Sequence, residues 1–150
     1  MTVILDGLNF AEGPRWYNGE LWFSDIHGHR VVAVKPDGKS RTVAEFGDRP
    51  SGLGFLPGGD LLVVQMIDRR LVRVDASGAV HPHADVSHLS GHFINDMVVD
   101  RRGNAYVGSR SGNGSFSFTW YDNTEPMYVD AYEDSTHLGR STQAVANGTA

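Results

Sequence analysis

The side chains that could do chemistry are few and scattered. Glu12 stands ahead of Gly13-Pro14. Its carboxylate is the oxygen donor a hard divalent cation takes, or else an ordinary exposed loop glutamate. Asn95 and Asp96 stand together before the apolar run Met97-Val98-Val99. The amide oxygen of Asn95 can join a coordination sphere while its NH₂ group binds a substrate hydroxyl. Asp96 can orient a water, cap a turn or bond its own backbone. His27 and His29 follow Asp25. On a strand both rings would share a face, a zinc-pair spacing, although a turn with polar decoration is the simpler explanation. His81, His83, His88 and His92 are spread along a connecting segment, and only His92 comes close to Asn95, as a candidate substrate contact.

Several chemistries are excluded. Without cysteine there is no disulfide, thiolate zinc site or cysteine nucleophile. Ser51-Gly52 and Ser90-Gly91 lack the Gly-x-Ser-x-Gly elbow of a serine nucleophile. Gly112-Asn113-Gly114 is not followed by the Lys-Ser/Thr of a phosphate loop. A net charge of −5 argues against a nucleic-acid surface. The basic pairs in Asp68-Arg69-Arg70 and Asp100-Arg101-Arg102 read as solvated loop ends. The longest apolar runs are strand-sized and no basic leader opens the sequence. No membrane partner and a cytoplasmic location are the resulting expectations.

The elements that must position these residues are strands. Short β-branched and aromatic runs alternate with Gly, Asp, Asn and Pro, and helix periodicity is almost absent. The runs repeat. Gly19, Gly59 and Gly103 end matching inner-strand segments and stand 40 and 44 residues apart, and Gly38 and Gly78 are 40 apart. Four strands in about 40–45 residues is the length of a propeller blade. A third, less regular copy is completed by a strand over 116–120, a turn at Asp122-Asn123 and a fourth strand over 127–132. The expected fold is all-β: three four-stranded antiparallel blades over residues 1–134, then a polar, disordered tail over 135–150. Trp16, Trp22, Phe23, Phe55 and Tyr106 are read as packing between the sheets.

Three segments go beyond general propeller grammar: Ala11-Glu12-Gly13-Pro14-Arg15-Trp16 with Leu21-Trp22-Phe23-Ser24-Asp25, Pro50-Ser51-Gly52-Leu53-Gly54-Phe55, and Asn95-Asp96-Met97-Val98-Val99-Asp100 with Gly103-Asn104-Ala105-Tyr106-Val107-Gly108. Spaced as they are, these resemble the gluconolactonase, senescence marker protein and luciferin-regenerating enzyme family, over residues 5–109. The resemblance implies half of a six-bladed propeller and metal-dependent hydrolysis of a lactone or ester. It also implies a divalent cation, calcium first, with zinc or manganese as alternatives. Glu12 and Asn95 would be its ligands, with Asn95 and His92 at the substrate and Asp96 as a fallback general base. The ligands and catalytic acid of the family's later blades have no counterpart here. A non-catalytic binding or assembly module, or a truncated inactive fragment, is the alternative. Three blades leave apolar flanks in water, so a homodimer completing the ring is expected.

Overall fold

The computed structural model describes residues 3–110 and the strands Phe116–Tyr121 and Pro126–Ala131. The strands are β1 (Ala11–Tyr17), β2 (Glu20–Asp25), β3 (Arg30–Val34), β4 (Ser40–Glu45), β5 (Pro50–Phe55), β6 (Leu61–Gln65), β7 (Arg70–Val74), β8 (Val80–Asp85), β9 (Ile94–Val99), β10 (Ala105–Arg110), β11 (Phe116–Tyr121) and β12 (Pro126–Ala131). They form three four-stranded antiparallel sheets, each with its strands in chain order, and the expected three blades are present. The last strand starts and ends one residue earlier than expected from the sequence. The expected tail over 135–150 lies outside the described residues.

Turn chemistry sets the repeat. Gly19, Gly59 and Gly103 all lie between the first and second strands of their sheets, at φ of 77°, 93° and 91°. Side chains with a Cβ are strained there, so the 40- and 44-residue spacing records a backbone requirement. Aspartates reinforce other turns: Oδ1 of Asp37, Asp75 and Asp100 each accepts the backbone N–H two residues on.

The middle blade shows how burial follows from strand geometry. Leu61-Leu62-Val63-Val64 in β6 is an unbroken apolar run because both faces of this sheet are covered. Leu61 and Val63 turn toward the first sheet, packing with Val31, Leu53 and Val74. Leu62 and Val64 turn toward the third, packing with Leu71, Ile94, Met97 and Val107. At the first seam Tyr17 stacks on Phe55 with ring centres 3.7 Å apart, and Trp22 meets Phe55 edge-on. The inner strands β1, β5 and β9 touch in series. A Cβ on Gly52 would lie 2.4 Å from the Met97 nitrogen and 2.8 Å from the Asn95 carbonyl oxygen, so only glycine lets β5 and β9 come this close.

The outward face of the first sheet buries Phe23, Val32 and Val34 beneath Leu5 and Leu8 of the leading segment. Phe23 thus packs beneath the leading segment and not between sheets, and Trp16 departs further from the expectation of inter-sheet packing. It is 65% exposed on that face, because no preceding sheet covers it among the described residues. No helix among the described residues is long and apolar enough to cross a membrane.

Candidate functional site

Each inner strand begins with the same irregularity. Ala11 pairs with Asp25, Pro50 with Gln65 and Ile94 with Ser109, and in each ladder the register then slips before regular pairing resumes. A bulge at a strand end re-aims the side chain it displaces. In the second and third blades the displaced positions are Ser51-Gly52 and Asn95-Asp96, and in the first they are Gly13-Pro14, because Glu12 still pairs with Ser24. Glu12, Ser51 and Asn95 each follow the opening pair of their strand by one residue. One residue per blade is thus presented at the same end of three adjacent inner strands.

A hydrogen-bond chain ties these positions together. Ser24 Oγ donates to the Ser51 carbonyl oxygen at 2.6 Å, and Ser51 Oγ donates to Asn95 Oδ1 at 2.6 Å. Ser51 is buried, whereas Glu12 and Asn95 are exposed. The bond from Ser51 fixes the amide: Asn95 Oδ1 keeps one lone pair, and its NH₂ has no acceptor among the described residues. Glu12 likewise has no ion-pair partner among them. Arg15 crosses from β1 to donate to the carbonyl oxygen of Met97 in β9, two residues past Asn95. The first and third inner strands are thereby linked directly.

The other candidates fall elsewhere. Asp96 is exposed and takes the position held by Gly13 and Gly52 in the first two blades, on the side of β9 turned away from β5. His92 is exposed in the turn before β9, where its N–H donates to Ser90 Oγ. Around it is a small cavity of about 260 Å³ shared with Ile67, Arg69 and Phe93. Arg69 is not a solvated loop end. It is half-buried and donates to the Ser90 carbonyl oxygen. His27 and His29 are not on a strand and make no zinc pair. His27 lies in the 3₁₀ turn Ile26–Gly28 against the Phe10 ring, and His29 caps that turn at φ 54°.

Asp25 belongs to the framework. It is fully buried, and its Oδ1 accepts the N–H groups of Asn9 and Phe10, both at 2.9 Å. Its Oδ2 pairs with Arg30 at 3.0 Å. Burial alone would raise its pKa, but the Phe10 and Asn9 N–H groups and the Arg30 guanidinium together hold it below the usual carboxylate value. Gly28 is small because Asp25 is there: a Cβ would sit 2.3 Å from Oδ2.

Two open cavities flank the blades. The larger, about 730 Å³, lies at the periphery beside Glu45, Gln65, Arg70 and Pro82, away from Glu12 and Asn95. The other, about 640 Å³, is an apolar trough on the outward face of the first sheet, lined by Leu8, Pro14, Trp16, Leu21 and Phe23, and Glu12 stands among them.

A family model described as the SMP-30/gluconolactonase/LRE-like region matches residues 10–150. The chain belongs to this family. The match runs past residue 109, where the motif resemblance stops. Among curated proteins none matches. Solved structures share the fold of this family member. A gluconolactonase of Xanthomonas campestris is 20% identical with TM-score 0.65, over 83% of this chain and 49% of that one. A virginiamycin B lyase of Staphylococcus aureus is 18% identical with TM-score 0.63, over 85% and 42%. A luciferin-regenerating enzyme is 17% identical with TM-score 0.59, over 83% and 45%. The chain therefore spans about half the length of these structures.

Whether the residues suit a divalent cation is a matter of type and number. A carboxylate and an amide oxygen are the right donors for a hard cation, which takes about six to eight oxygens. Among the described residues no three histidines, aspartates or glutamates gather as a cage. The described residues of this family member supply donors of the right kind, a carboxylate and an amide, and fewer than such a cation takes. Sequence reasoning missed Ser51 as a member of the row, although the signal was present: Glu12-Gly13, Ser51-Gly52 and Asn95-Asp96 repeat at the blade period.

Proposed function

We propose that the chain provides one half of a hydrolytic centre for a lactone or ester, with Glu12 and Asn95 as its share of the ligands to a divalent cation. The observation that carries this reading is the equivalent position of Glu12, Ser51 and Asn95, each one residue past the opening pair of its inner strand, with the Ser51–Asn95 bond holding the amide in place. Bound there, a cation would supply the charge that polarises an ester carbonyl and acidifies a water. The chain's own part is positional. Ser51 locks the Asn95 amide so that its free NH₂ can donate to a substrate oxygen, and Glu12 presents an uncompensated carboxylate. His92 lies two residues before β9 and would reach substrate only from that turn. Asp96 follows Asn95 in the chain and is the fallback proton acceptor, on the side of β9 turned away from β5. Calcium fits the all-oxygen donor set best, and manganese shares that preference.

The test has two readouts. Titration with Ca²⁺ or Mn²⁺ should raise the melting temperature, since a ligand that binds only the native state stabilises it. Glu12→Gln should abolish that rise and any hydrolysis of a sugar lactone. A melting response unchanged in the variant removes Glu12 from the site. A family member that neither responds to metal nor hydrolyses lactones would instead be a binding or assembly module.

A further inference from the structure

We infer that the cavity between the first and second blades is a binding site for a small organic cation, a protonated amine on an apolar body. This open cavity of about 730 Å³ lies away from Glu12 and Asn95. Its volume is in the range that small-molecule pockets occupy. Its lining runs from Glu45 to Asp85 and comes from the first two blades alone. A sheet stacked before the first blade or after the third would leave it unchanged.

One difference between equivalent positions creates its chemistry. Asp25 and Gln65 end the second strands of their sheets, opposite Arg30 and Arg70. Across the next ladder Arg30 faces Glu45, and Arg70 faces Asp85. In the first blade Arg30 turns inward to the Asp25 carboxylate at 3.0 Å. Glu45 is left with no ion-pair partner among the described residues. In the second blade Gln65 carries no charge, and Arg70 turns outward to Asp85 at 3.2 Å. Gln65 is therefore the residue left over there. It is 6% exposed, its amide nitrogen is sealed from solvent without an acceptor, and no donor among the described residues reaches its amide oxygen. A buried amide without partners is costly, and a ligand that supplies one is favoured. Both unpartnered groups border the same cavity. Gln65 follows the alternation of Leu61 and Val63 toward the first sheet, and Glu45 ends β4 of that sheet.

Charge decides the sign of the ligand. Glu45, Asp48, Asp68 and Asp85 line the cavity, with Arg70 as the one guanidinium among the lining residues. His83 adds no positive charge at neutral pH, because burial and the nearby Arg73 hold its pKa below the usual histidine value. Phe46, Leu71, Val72, Val80 and Pro82 supply the apolar wall. An ammonium group can donate to the Gln65 amide oxygen and pair with the Glu45 carboxylate.

Three probes of similar shape and different charge make the test: phenethylamine, phenethyl alcohol and hydrocinnamate, each titrated into the isotope-labelled full chain. The protonated amine should give saturable NMR shifts at millimolar concentration over residues 45–48 and 65–72, and should move the Gln65 side-chain NH₂ resonances. The alcohol should bind about fivefold more weakly, the size of one screened ion pair. The carboxylate should not saturate. Glu45→Gln, at an exposed position, should bring the amine down to the affinity of the alcohol. Gln65→Leu should weaken both by removing the shared acceptor, and Glu45→Gln decides the matter if that buried change disturbs the fold. Shifts that do not saturate, that cluster elsewhere, that are equal for amine and alcohol, or that survive both substitutions would each overturn the inference. Metal response and lactone hydrolysis use neither Glu45 nor Gln65, so failure of the hydrolytic reading leaves this site standing.

Discussion

Asp25→Asn should be among the more destabilising isosteric changes this protein can carry, and its effect should vanish in acid. The carboxylate has no contact with solvent and accepts two backbone N–H bonds at 2.9 Å, one from Asn9 and one from Phe10. It also meets Arg30, with Nη2 3.0 Å away and Nε 3.1 Å away. An asparagine oxygen can still accept from the two amides, but its NH₂ would face the guanidinium, donor against donor. Hydrogen bonds to a charged group contribute about 1.5–3 kcal/mol net. The Arg30 side chain is 32% exposed, so solvent screening trims its share. A loss of about 2–4 kcal/mol at pH 7 follows. The sign with pH is fixed by the depressed native pKa. Stability from this group is complete above the unfolded-state value of about 4 and is lost as pH falls through the lower native value. Urea denaturation of both proteins at pH 7 and at successively lower pH measures the gap. A gap under about 0.5 kcal/mol at pH 7, the size of an ordinary surface change, would refute the reasoning. So would a gap that persists undiminished through the acid range.

Two further outcomes follow from the inner strands. Gly52→Ala would force a Cβ against backbone atoms of β9, and overpacking of this kind costs about 1–3 kcal/mol; a melting temperature equal to wild type would show that β5 and β9 can part cheaply. Ser51→Ala should cost about 1 kcal/mol for the lost bond to Asn95. It should also release the Asn95 side-chain amide, seen as a shift of its NMR NH₂ resonances, and an unmoved resonance would remove Ser51 from the site.

The blades were legible in the sequence because their turns demand a backbone conformation that few residues other than glycine supply. Gly19, Gly59 and Gly103 therefore mark the repeat even where the strands between them have diverged. The strand over 116–121 was legible from its alternation, and the last strand beyond its turn was placed to within one residue. Positions at strand starts were partly legible: Glu12 and Asn95 stood out by residue type, while Ser51 was passed over because serine is common in turns. Its role comes from the bulge, which no local composition announces. Asp25 was harder still. Its partners Asn9 and Phe10 precede it by about 15 residues and donate through the backbone, so their side chains carry no trace of the contact. The Arg15 bond to Met97 spans 82 residues and depends on two intervening seams. Trp16 was misjudged for a different reason. A large aromatic residue reads as core, and only the stacking order of the sheets reveals that its neighbour is absent from the described residues.

Among the described residues each sheet completes its ladders with four strands that are consecutive in the chain, and no strand is lent from one blade to another. The boundaries of the folded units therefore coincide with boundaries in the coding sequence. A break, fusion or duplication falling in a connection between blades adds or removes an intact sheet and orphans no hydrogen-bonding edge inside its neighbours. What such an event changes is the number of open seams, and seams are closed by side-chain packing, which tolerates substitution far better than ladder pairing does. In an architecture of this kind, the number of blades per polypeptide can drift through evolution while the blade itself stays fixed, and the ring can be divided among chains without redesigning any sheet.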